Sequence, residues 1–255
     1  MIEVKRVSYS VRSKSLVHDV SLRVSTGELV VIMGANGAGK STLLKMIAGS
    51  LRPQTGEILL NDLPLHQYTT GSLARKRAVL SQQYHIEFPM TVREIVMMGR
   101  YPYFGNHPQP QDEIIVDEMM CRMEIQQLAS RNYQTLSGGE AQKVQMSRVL
   151  AQIGNTAASE AKALLLDEPV SHLDIKYQHQ LLQVAKSLCK HHVAVLAVLH
   201  DVNLALKYAD RILFLKQGEI KASINTNEIS AELLHDMFGI NASVINTPYG
   251  KLVAY

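Results

Sequence analysis

Residues 34–41 constrain this chain more than any other segment. They have the sequence Gly-Ala-Asn-Gly-Ala-Gly-Lys-Ser and match the phosphate-binding loop G-x-x-x-x-G-K-[ST] at every fixed position. The apolar run 29–33 before the loop predicts a buried strand, and the apolar segment 43–48 after it predicts a helix. Glycines let the backbone approach an anion without a Cβ clash, and the amides at a helix start point at that anion. The segment therefore predicts a strand, loop and helix that bind nucleotide phosphates.

Two side chains of this loop carry specific expectations. Lys40 is predicted to reach the β- and γ-phosphates, and the Ser41 hydroxyl is predicted to ligate Mg²⁺. The alternative is a glycine-rich turn that binds nothing, and the Lys-Ser ending within a strand–loop–helix context disfavours it. The predicted nucleotide contacts of this segment are Asn36, Gly37, Ala38, Gly39, Lys40, Ser41 and Thr42.

Composition limits the broad class of the protein. The 255 residues suffice for one large α/β domain or two joined lobes, and a net charge of +3 is too small to indicate nucleic acid as a partner. Cys121 and Cys189 form no disulfide framework and lack metal-ligand spacing, which favours a reducing compartment. The first residues do not resemble a signal peptide, and no apolar run approaches the roughly 18 residues that span a bilayer. We expect a soluble chain that meets a membrane only through a partner.

The pattern of helix formers changes along the chain. A stretch rich in helix formers interrupts a region in which short apolar strands alternate with helices, and this predicts an α/β core with parallel strands and an inserted helical lobe. Prolines in the segment 101–110 separate the first two helices of the lobe. The predicted strands are 56–60, 78–80, 164–166 and 193–199, and the predicted helices are 92–98, 112–128, 140–153 and 177–190.

Charged and polar side chains follow two of the predicted core strands. Asp167 is expected to support Mg²⁺, and Glu168 is expected to orient and polarise the water that attacks the γ-phosphorus. A solvated Asp-Glu pair at a turn is the alternative. His200 ends the next apolar strand and is predicted to donate to the γ-phosphate, because parallel strands present their carboxyl ends to a ligand. The alternative for His200 is a core histidine bonded to a backbone carbonyl.

The segment 136–140, Leu-Ser-Gly-Gly-Glu, predicts a second helix start. Ser137 and Glu140 have the spacing of a capping box. Gly138 and Gly139 cost helix stability, but they also expose amides to an incoming anion. The chain therefore carries two predicted phosphate-binding helix starts, although one nucleotide needs only one such cradle and a cap.

Together these residues resemble the ATP-binding-cassette (ABC) family over nearly the whole chain. The segment 136–140 matches the signature sequence of that family, and His200 resembles its switch histidine. Gln82 resembles the Q-loop glutamine that touches Mg²⁺ and the attacking water, with the neighbouring Gln83 as the alternative assignment. The other matching segments are the Walker A loop at 34–41, the Walker B strand at 164–168 and the D-loop at 171–174, which contains Asp174.

The resemblance implies an α/β fold of the P-loop NTPase (RecA-like) class. Its parallel-sheet core with an antiparallel N-terminal β-subdomain would comprise residues 1–82 and 154–255, and an inserted α-helical subdomain with the signature would comprise 83–153. The implied cofactors are ATP and Mg²⁺, and the implied assembly is a head-to-tail homodimer in which the signature of one copy closes over ATP bound by the other. The implied catalytic residues are Glu168, His200, Gln82 and Lys40, the implied metal ligands are Ser41, Gln82 and Asp167 (the last through water), and the implied signature residues are Ser137, Gly138, Gly139 and Glu140.

The sequence departs from the family pattern at several positions. Adenine usually stacks on an aromatic residue of the first strand, but that position is Val11 here. Alternation places Val7, Tyr9 and Val11 on one strand face, so either Val11 or Tyr9 is the predicted adenine contact. Val170 and Ala141 also differ from the commoner family residues, and we expect neither to abolish hydrolysis.

Two further segments indicate the kind of complex in which the chain hydrolyses ATP. Residues 91–102 resemble the segment after the Q-loop in importers of haem, iron-siderophores and cobalamin, and the polar stretch 154–160 is similar to hemin-import ATP-binding subunits. The resemblance implies a peripheral ATPase on the cytoplasmic face of the cell membrane, with permease subunits and a periplasmic binding protein as partners and haem as cargo. The alternatives are an iron-siderophore or cobalamin importer, a non-transport ABC ATPase, and an ATP-binding regulator without turnover; intact Glu168 and His200 disfavour the regulator.

Overall fold

A computed structural model of the chain describes residues 1–82, 84, 86–154, 161–171, 173–248 and 250–255. The alternative Q-loop glutamine Gln83, His172 of the predicted D-loop and residues 155–160 of the polar stretch lie outside these described residues. Within the described residues, no helix has both the length and the apolar character needed to cross a bilayer.

Strands and helices alternate through most of the chain. The strands are β1 (Ile2–Val11), β2 (Lys14–Val24), β3 (Leu29–Met33), β4 (Thr55–Leu60), β5 (Leu63–Pro64), β6 (Arg77–Leu80), β7 (Lys162–Asp167), β8 (Val193–Val198), β9 (Arg211–Lys216), β10 (Glu219–Asn225), β11 (Ser243–Thr247) and β12 (Gly250–Ala254). The α-helices are α1 (Lys40–Ile47), α2 (Thr70–Lys76), α3 (Val92–Met97), α4 (Pro110–Arg122), α5 (Gly138–Ile153), α6 (Ile175–Cys189), α7 (Val202–Tyr208) and α8 (Ala231–Phe238).

Two sheets organise these strands. The larger sheet has the order β10-β9-β3-β8-β7-β6, with parallel pairing from β9 through β6 and an antiparallel edge strand β10. The smaller sheet, β2-β1-β4-β5, is antiparallel. Because β3, β7 and β8 run in the same direction, the segments that follow them meet at one edge of the larger sheet.

The larger sheet is covered on both faces. Every residue of β3, β7 and β8 is buried, as expected for parallel strands between two layers. On β3, Leu29, Val31 and Met33 join one core cluster with residues of α3 to α8, whereas Val30 and Ile32 join another with α1 and the smaller sheet. The alternation along one strand therefore joins the helical part of the molecule to the antiparallel sheet through a common layer.

The helical insertion differs in detail from the sequence prediction. The helix predicted for residues 112–128 is wrong at its C-terminal end, because α4 ends at Arg122 and Gln126–Leu128 forms a separate 3₁₀ turn. Glu124 has a left-handed φ of 56°, a conformation that interrupts a right-handed helix. The first helix of the insertion ends at Met97, and the 3₁₀ segment Met98–Tyr103 follows it.

Burial decreases along the second half of strand β1. Register shifts in its pairing with β2 fall between Val7 and Tyr9 and again between Tyr9 and Ser10. Val7 is fully buried, Tyr9 is half-buried, and Val11 is 49% exposed. The extra residue at each of these two shifts lies on β2, so Val7, Tyr9 and Val11 keep their two-residue spacing along β1. That they share one strand face stays a prediction, and burial decreases from Val7 to Val11.

Candidate functional site

Close backbone packing explains two glycines of the loop between β3 and α1. A Cβ on Gly34 would lie 2.1 Å from the Leu215 carbonyl oxygen, and a Cβ on Gly39 would lie 2.2 Å from that of Leu16. Gly39 also has a left-handed φ of 104°. Both positions therefore require glycine for the loop to pass between β9 and β2 and then enter α1.

The first turn of α1 is open to an anion. Gly39 is the N-cap residue and supplies no capping side chain, and the first turn contains no acidic residue. The first four amides of a helix have no intrahelical partner, and the helix dipole makes this end positive. Asn36 and Gly37 are exposed, Ala38 is buried, and Thr42 is half-buried, so the predicted loop residues lie at or near an accessible amide cradle.

Lys40 lies inside this loop. Only 5% of it is exposed, and its Nζ donates to the carbonyl oxygens of Gly34 at 2.8 Å and Ala35 at 3.0 Å. Burial lowers the pKa of Lys40, whereas the charges of Glu168 and Asp167 raise it. The ammonium group is thus held beside the loop and within the field of both predicted carboxylates.

Ser41 and Asp167 meet across the sheet edge. The Ser41 hydroxyl donates to Asp167 Oδ1 at 3.3 Å, although 126 residues separate the two in sequence. Burial raises the pKa of Asp167, the hydrogen bond from Ser41 lowers it, and the nearby Glu168 charge raises it. A carboxylate and a hydroxyl are oxygen donors of the type that Mg²⁺ accepts together with phosphate and water. The residues present therefore fit such an ion.

Glu168 joins two other predicted site residues. Gln82 Nε2 donates to Glu168 Oε2 at 2.8 Å, and His200 Nε2 lies 2.8 Å from Glu168 Oε1. The Glu168 side chain is 19% exposed and that of His200 is 47% exposed, so the group faces an accessible cleft. His200 binds a carboxylate at the surface, which differs from the alternative of a buried histidine bonded to a backbone carbonyl.

The backbone of Glu168 is constrained as well. Its φ is 50°, in the left-handed region that few side-chain-bearing residues adopt. The Ser171 hydroxyl donates to the Glu168 carbonyl oxygen at 2.9 Å and supports this turn. The sequence did not single out Ser171 for this contact, although its position three residues after Glu168 is typical of side chains that cap turns.

The signature helix α5 begins differently from α1. Ser137 Oγ accepts from the Glu140 amide at 3.3 Å, and the Ser137 amide donates to Glu140 Oε2 at 2.8 Å, so the predicted capping box is present. The backbone hydrogen bond from Ser137 lowers the pKa of Glu140. Arg131 lies 3.3 Å from the same carboxylate. Gly138 and Gly139 follow the cap as the first residues of the helix.

A second cleft lies between the starts of α5 and α6. Asp174 caps α6 by accepting the Tyr177 amide at 3.1 Å, and Ser137, Gly138 and Gly139 line the opposite side. Lys143 Nζ lies 2.9 Å from the centre of the Tyr177 ring. Sequence reasoning missed Lys143 and Tyr177, and no motif marks them. Among the described residues, this cleft shares no lining residue with the cleft formed by Ser41, Gln82 and Asp167.

The adenine contact stays a prediction with two alternatives. Val11 is exposed near the turn between β1 and β2, whereas Tyr9 is partly buried and packs against the core cluster of the smaller sheet. Exposure favours Val11 for contact with a ligand, and ring area favours Tyr9.

These clefts, on this fold, define a nucleotide-binding protein of the P-loop class. Residues 17–171 match the family model described as ABC transporter, and the chain belongs to that family. The predicted α/β fold and the recognition of an ABC-type ATPase that binds ATP are thereby confirmed.

Curated relatives extend the similarity over most of the chain. The "Hemin import ATP-binding protein HmuV" of Hahella chejuensis is 44% identical over 223 residues, which cover 87% of this chain and 86% of that protein. The protein of the same name from Methylobacillus flagellatus is 39% identical over 252 residues, which cover 98% of this chain and 93% of that protein.

Solved structures show the same fold. The dimeric structure of a bacterial ABC transporter cassette aligns with a TM-score of 0.77 at 27% identity, covering 90% of this chain and 100% of that one. A post-hydrolysis dimer of that cassette, bound to ADP and Pi, gives the same values. A putative metal-chelate type ABC transporter in an inward-facing conformation has a TM-score of 0.80 at 24% identity, covering 99% of this chain and 95% of that one. At this identity the match shows only that the fold is similar.

Proposed function

We propose that this chain is the ATP-hydrolysing subunit of an ABC importer of hemin and that two copies trap two ATP molecules between them. The observation that carries the hydrolytic role is the Glu168 carboxylate held between Gln82 and His200 beside the Ser41–Asp167 pair. The names of relatives at 39% and 44% identity support hemin as the cargo.

The phosphate loop binds and orients ATP in this proposal. Lys40 exchanges its two carbonyl partners for β- and γ-phosphate oxygens, while the open amides of α1 bind the same phosphates. Ser41, Asp167 and Gln82 would hold Mg²⁺, with Asp167 acting through water. When bound, the ion neutralises negative charge that develops on the transferring phosphoryl group. A divalent cation beside Asp167 favours its ionised form, which burial disfavours.

Glu168 is the proposed general base. Each of its two oxygens already has one donor, Gln82 at Oε2 and His200 at Oε1. When the γ-phosphate is bound, His200 donates to that phosphate instead, and Oε1 becomes free to accept a proton from the attacking water. Gln82 keeps the carboxylate oriented during this exchange.

The second cleft supports a head-to-tail dimer. One copy uses its phosphate loop, and the partner copy supplies Ser137, Gly138, Gly139 and Glu140 at the start of its α5, with Asp174 near the interface. This assignment explains why the two clefts of one chain are separate among the described residues. The dimeric arrangement of the cassette at 27% identity supports it.

The remaining partners follow from the importer role. Two permease subunits in the cell membrane would bind the ATPase dimer on its cytoplasmic face, and a periplasmic binding protein would deliver hemin to them. Phe88 is 74% exposed before α3, and Tyr101 is 54% exposed after it, so this part of the surface offers aromatic side chains to a protein partner. No nucleic acid is proposed as a partner.

Replacing Glu168 with glutamine tests the hydrolytic role. We expect Glu168→Gln to lower kcat for ATP at least about 100-fold, because a general base contributes about 10² to 10⁴ in rate, while ATP affinity stays within threefold. Glu57→Gln is the matched control, since Glu57 is exposed on the smaller sheet, where it pairs with Lys5. Steady-state phosphate release and equilibrium ATP binding are the measurements, and equal rates for Glu168→Gln and wild type would refute the role of Glu168.

Reconstitution with the permease tests the cargo. ATP-driven uptake of hemin into vesicles is expected, with no uptake by Glu168→Gln. Uptake of an iron-siderophore or cobalamin without hemin would replace the proposed cargo with one of the two alternatives. Failure of any permease to co-purify with an active ATPase would favour a non-transport role.

A further inference from the structure

We propose that Tyr84 and Arg148 are positioning residues that fix Gln82 relative to the signature helix α5. Among the described residues that line the cleft of Ser41, Gln82 and Asp167, neither Tyr84 nor Arg148 is present. The inference rests on the proposed hydrolytic function, because it concerns how Gln82 is held against Glu168. Its physical basis is one hydroxyl group that connects the end of β6, the segment containing Gln82 and the middle of α5.

The Tyr84 hydroxyl makes three hydrogen bonds to described residues. It donates to the Val79 carbonyl oxygen at 2.8 Å and accepts from the Ser81 amide at 2.7 Å and from Arg148 Nη2 at 2.8 Å. One donor and two acceptor sites are all that a hydroxyl offers, so the group is saturated. The bond to Ser81 holds the backbone directly before Gln82, whose Nε2 donates to Glu168 Oε2 at 2.8 Å.

Arg148 connects this hydroxyl to the helical lobe. Its guanidinium lies 4.8 Å from the centre of the Tyr84 ring and also donates to the Val79 carbonyl oxygen at 3.3 Å. On α5, Arg148 Nε donates to Gln145 Oε1 at 2.8 Å, and Gln145 Nε2 donates to the Tyr133 hydroxyl at 3.0 Å. Gln145 is 2% exposed, so the chain of bonds continues into the packed interior of the lobe. Charge-assisted bonds of this kind hold their geometry more firmly than neutral ones.

Helix α5 carries the other end of the connection. Arg148 follows Ser137 by 11 residues, which corresponds to about 16 Å along the helix axis. The backbone of α5 packs tightly at this point, because a Cβ on Gly99 would lie 2.1 Å from the Arg148 carbonyl oxygen. A shift of the signature at the start of α5 therefore moves Arg148, and Arg148 moves Ser81 and Gln82 through Tyr84. The distance from Gln82 to Glu168 thus depends on where the signature helix lies.

Removing the Tyr84 hydroxyl tests the connection. We expect Tyr84→Phe to lower kcat for ATP hydrolysis about tenfold while KM for ATP changes less than twofold, since Gln82 is displaced and the phosphate loop is not. The Mg²⁺ concentration for half-maximal activity should rise at least threefold, because Gln82 is a proposed metal ligand. Tyr68→Phe is the matched control: Tyr68 is also half-buried, and its hydroxyl donates to the Leu60 carbonyl oxygen at 2.7 Å in the smaller sheet. Tyr68→Phe should leave kcat and Mg²⁺ dependence within twofold of wild type.

A double-mutant cycle separates positioning from general stability. In a Gln82→Ala background, Tyr84→Phe should change kcat less than twofold, because its effect passes through the missing side chain. Arg148→Lys, which keeps the charge but loses the planar guanidinium, should reproduce the loss seen in Tyr84→Phe, and the two changes together should be no worse than the more severe one.

The outcomes distinguish the two proposals. Wild-type kcat and Mg²⁺ dependence in Tyr84→Phe would overturn the positioning role, as would a tenfold loss that persists in the Gln82→Ala background. Where Gln82→Ala is too slow to measure, the Mg²⁺ titration of Tyr84→Phe decides alone, and an unshifted midpoint overturns the inference. Undiminished activity of Glu168→Gln would instead remove the proposed function on which the inference rests.

Discussion

The N-termini of helices α1 and α5 both contain glycines, but they differ in how they are capped. Helix α1 begins with Gly39, has no capping side chain and carries no acid in its first turn. Helix α5 begins after Ser137, and Glu140 occupies its first turn in a complete capping box. The amides of α1 are thus open to phosphate, whereas at the start of α5 the amides of Ser137 and Glu140 are already bonded within the capping box.

The difference in capping indicates how the start of α1 in one copy and the start of α5 in the partner copy bind the same ATP. An open helix end with Lys40 beside it binds phosphates strongly and holds ATP within one copy. A capped end keeps α5 folded when no nucleotide is near, and its serine hydroxyl and glycine amides are presented at the surface for the partner copy's ATP. We interpret α1 as the primary binding element and α5 as the element that closes the site.

Removing the positive charge of Lys40 at the start of α1 should have the strongest effect of the three changes. Lys40→Ala should weaken ATP binding at least about 100-fold and abolish hydrolysis and transport. The variant lacks the buried ammonium group that binds the phosphates in this proposal. Lys190→Ala, at an exposed position after α6, is the control. Equilibrium binding of a fluorescent ATP analogue measures the difference, and an affinity within threefold of wild type would contradict the assignment.

A smaller effect is expected from removing the cap of α5. Ser137→Ala should cost about 1 kcal/mol of stability and lower ATPase activity about tenfold. Thr91→Ala is a matched control, because Thr91 and Glu94 form the same box at the start of α3, with the Thr91 amide 2.7 Å from Glu94 Oε2. Denaturant unfolding should show similar losses for both variants, whereas phosphate release should fall only for Ser137→Ala. Equal ATPase activity of the two variants would argue against a role for the α5 start in closing the site.

The weakest expected effect is the pH dependence of folding stability that arises from Glu140. Hydrogen bonds from Ser137 lower the pKa of Glu140 in the folded chain below its unfolded value of about 4.3. The ionised carboxylate therefore contributes stability above pH 4.3 that is lost as the pH falls through the lower folded value. Urea unfolding should show wild type more stable than Glu140→Gln at pH 7, with the difference disappearing on acidification.

Glu94→Gln provides the comparison for the pH experiment. The pKa of Glu94 is lowered by the same kinds of bonds from Thr91, so its variant should show the same acid dependence. A stability difference between wild type and Glu140→Gln that grows towards low pH would contradict the capping explanation.

Local sequence patterns predicted much of the fold and several parts of the site. The phosphate loop, the strand before Asp167 and the capping box at Ser137 each depend on neighbours within a few residues, so composition and spacing identified them. The end of α4 was missed because a left-handed Glu124 leaves no clear signal. The decrease in burial from Val7 to Val11 has no local signal in the sequence, because burial depends on packing against other elements.

Local sequence patterns were enough to predict the chemical groups of the site: a phosphate-binding loop with Lys40, two acids after a buried strand, and a second glycine-rich helix start. Which of these groups lie in contact depends on the arrangement of the strands in the folded chain. Gln82 reaches Glu168 across 86 residues, and Ser41 reaches Asp167 across 126 residues. These contacts arise because β3, β6, β7 and β8 run parallel and end at one edge of a sheet. Strand order is set by packing of the whole core rather than by local pattern.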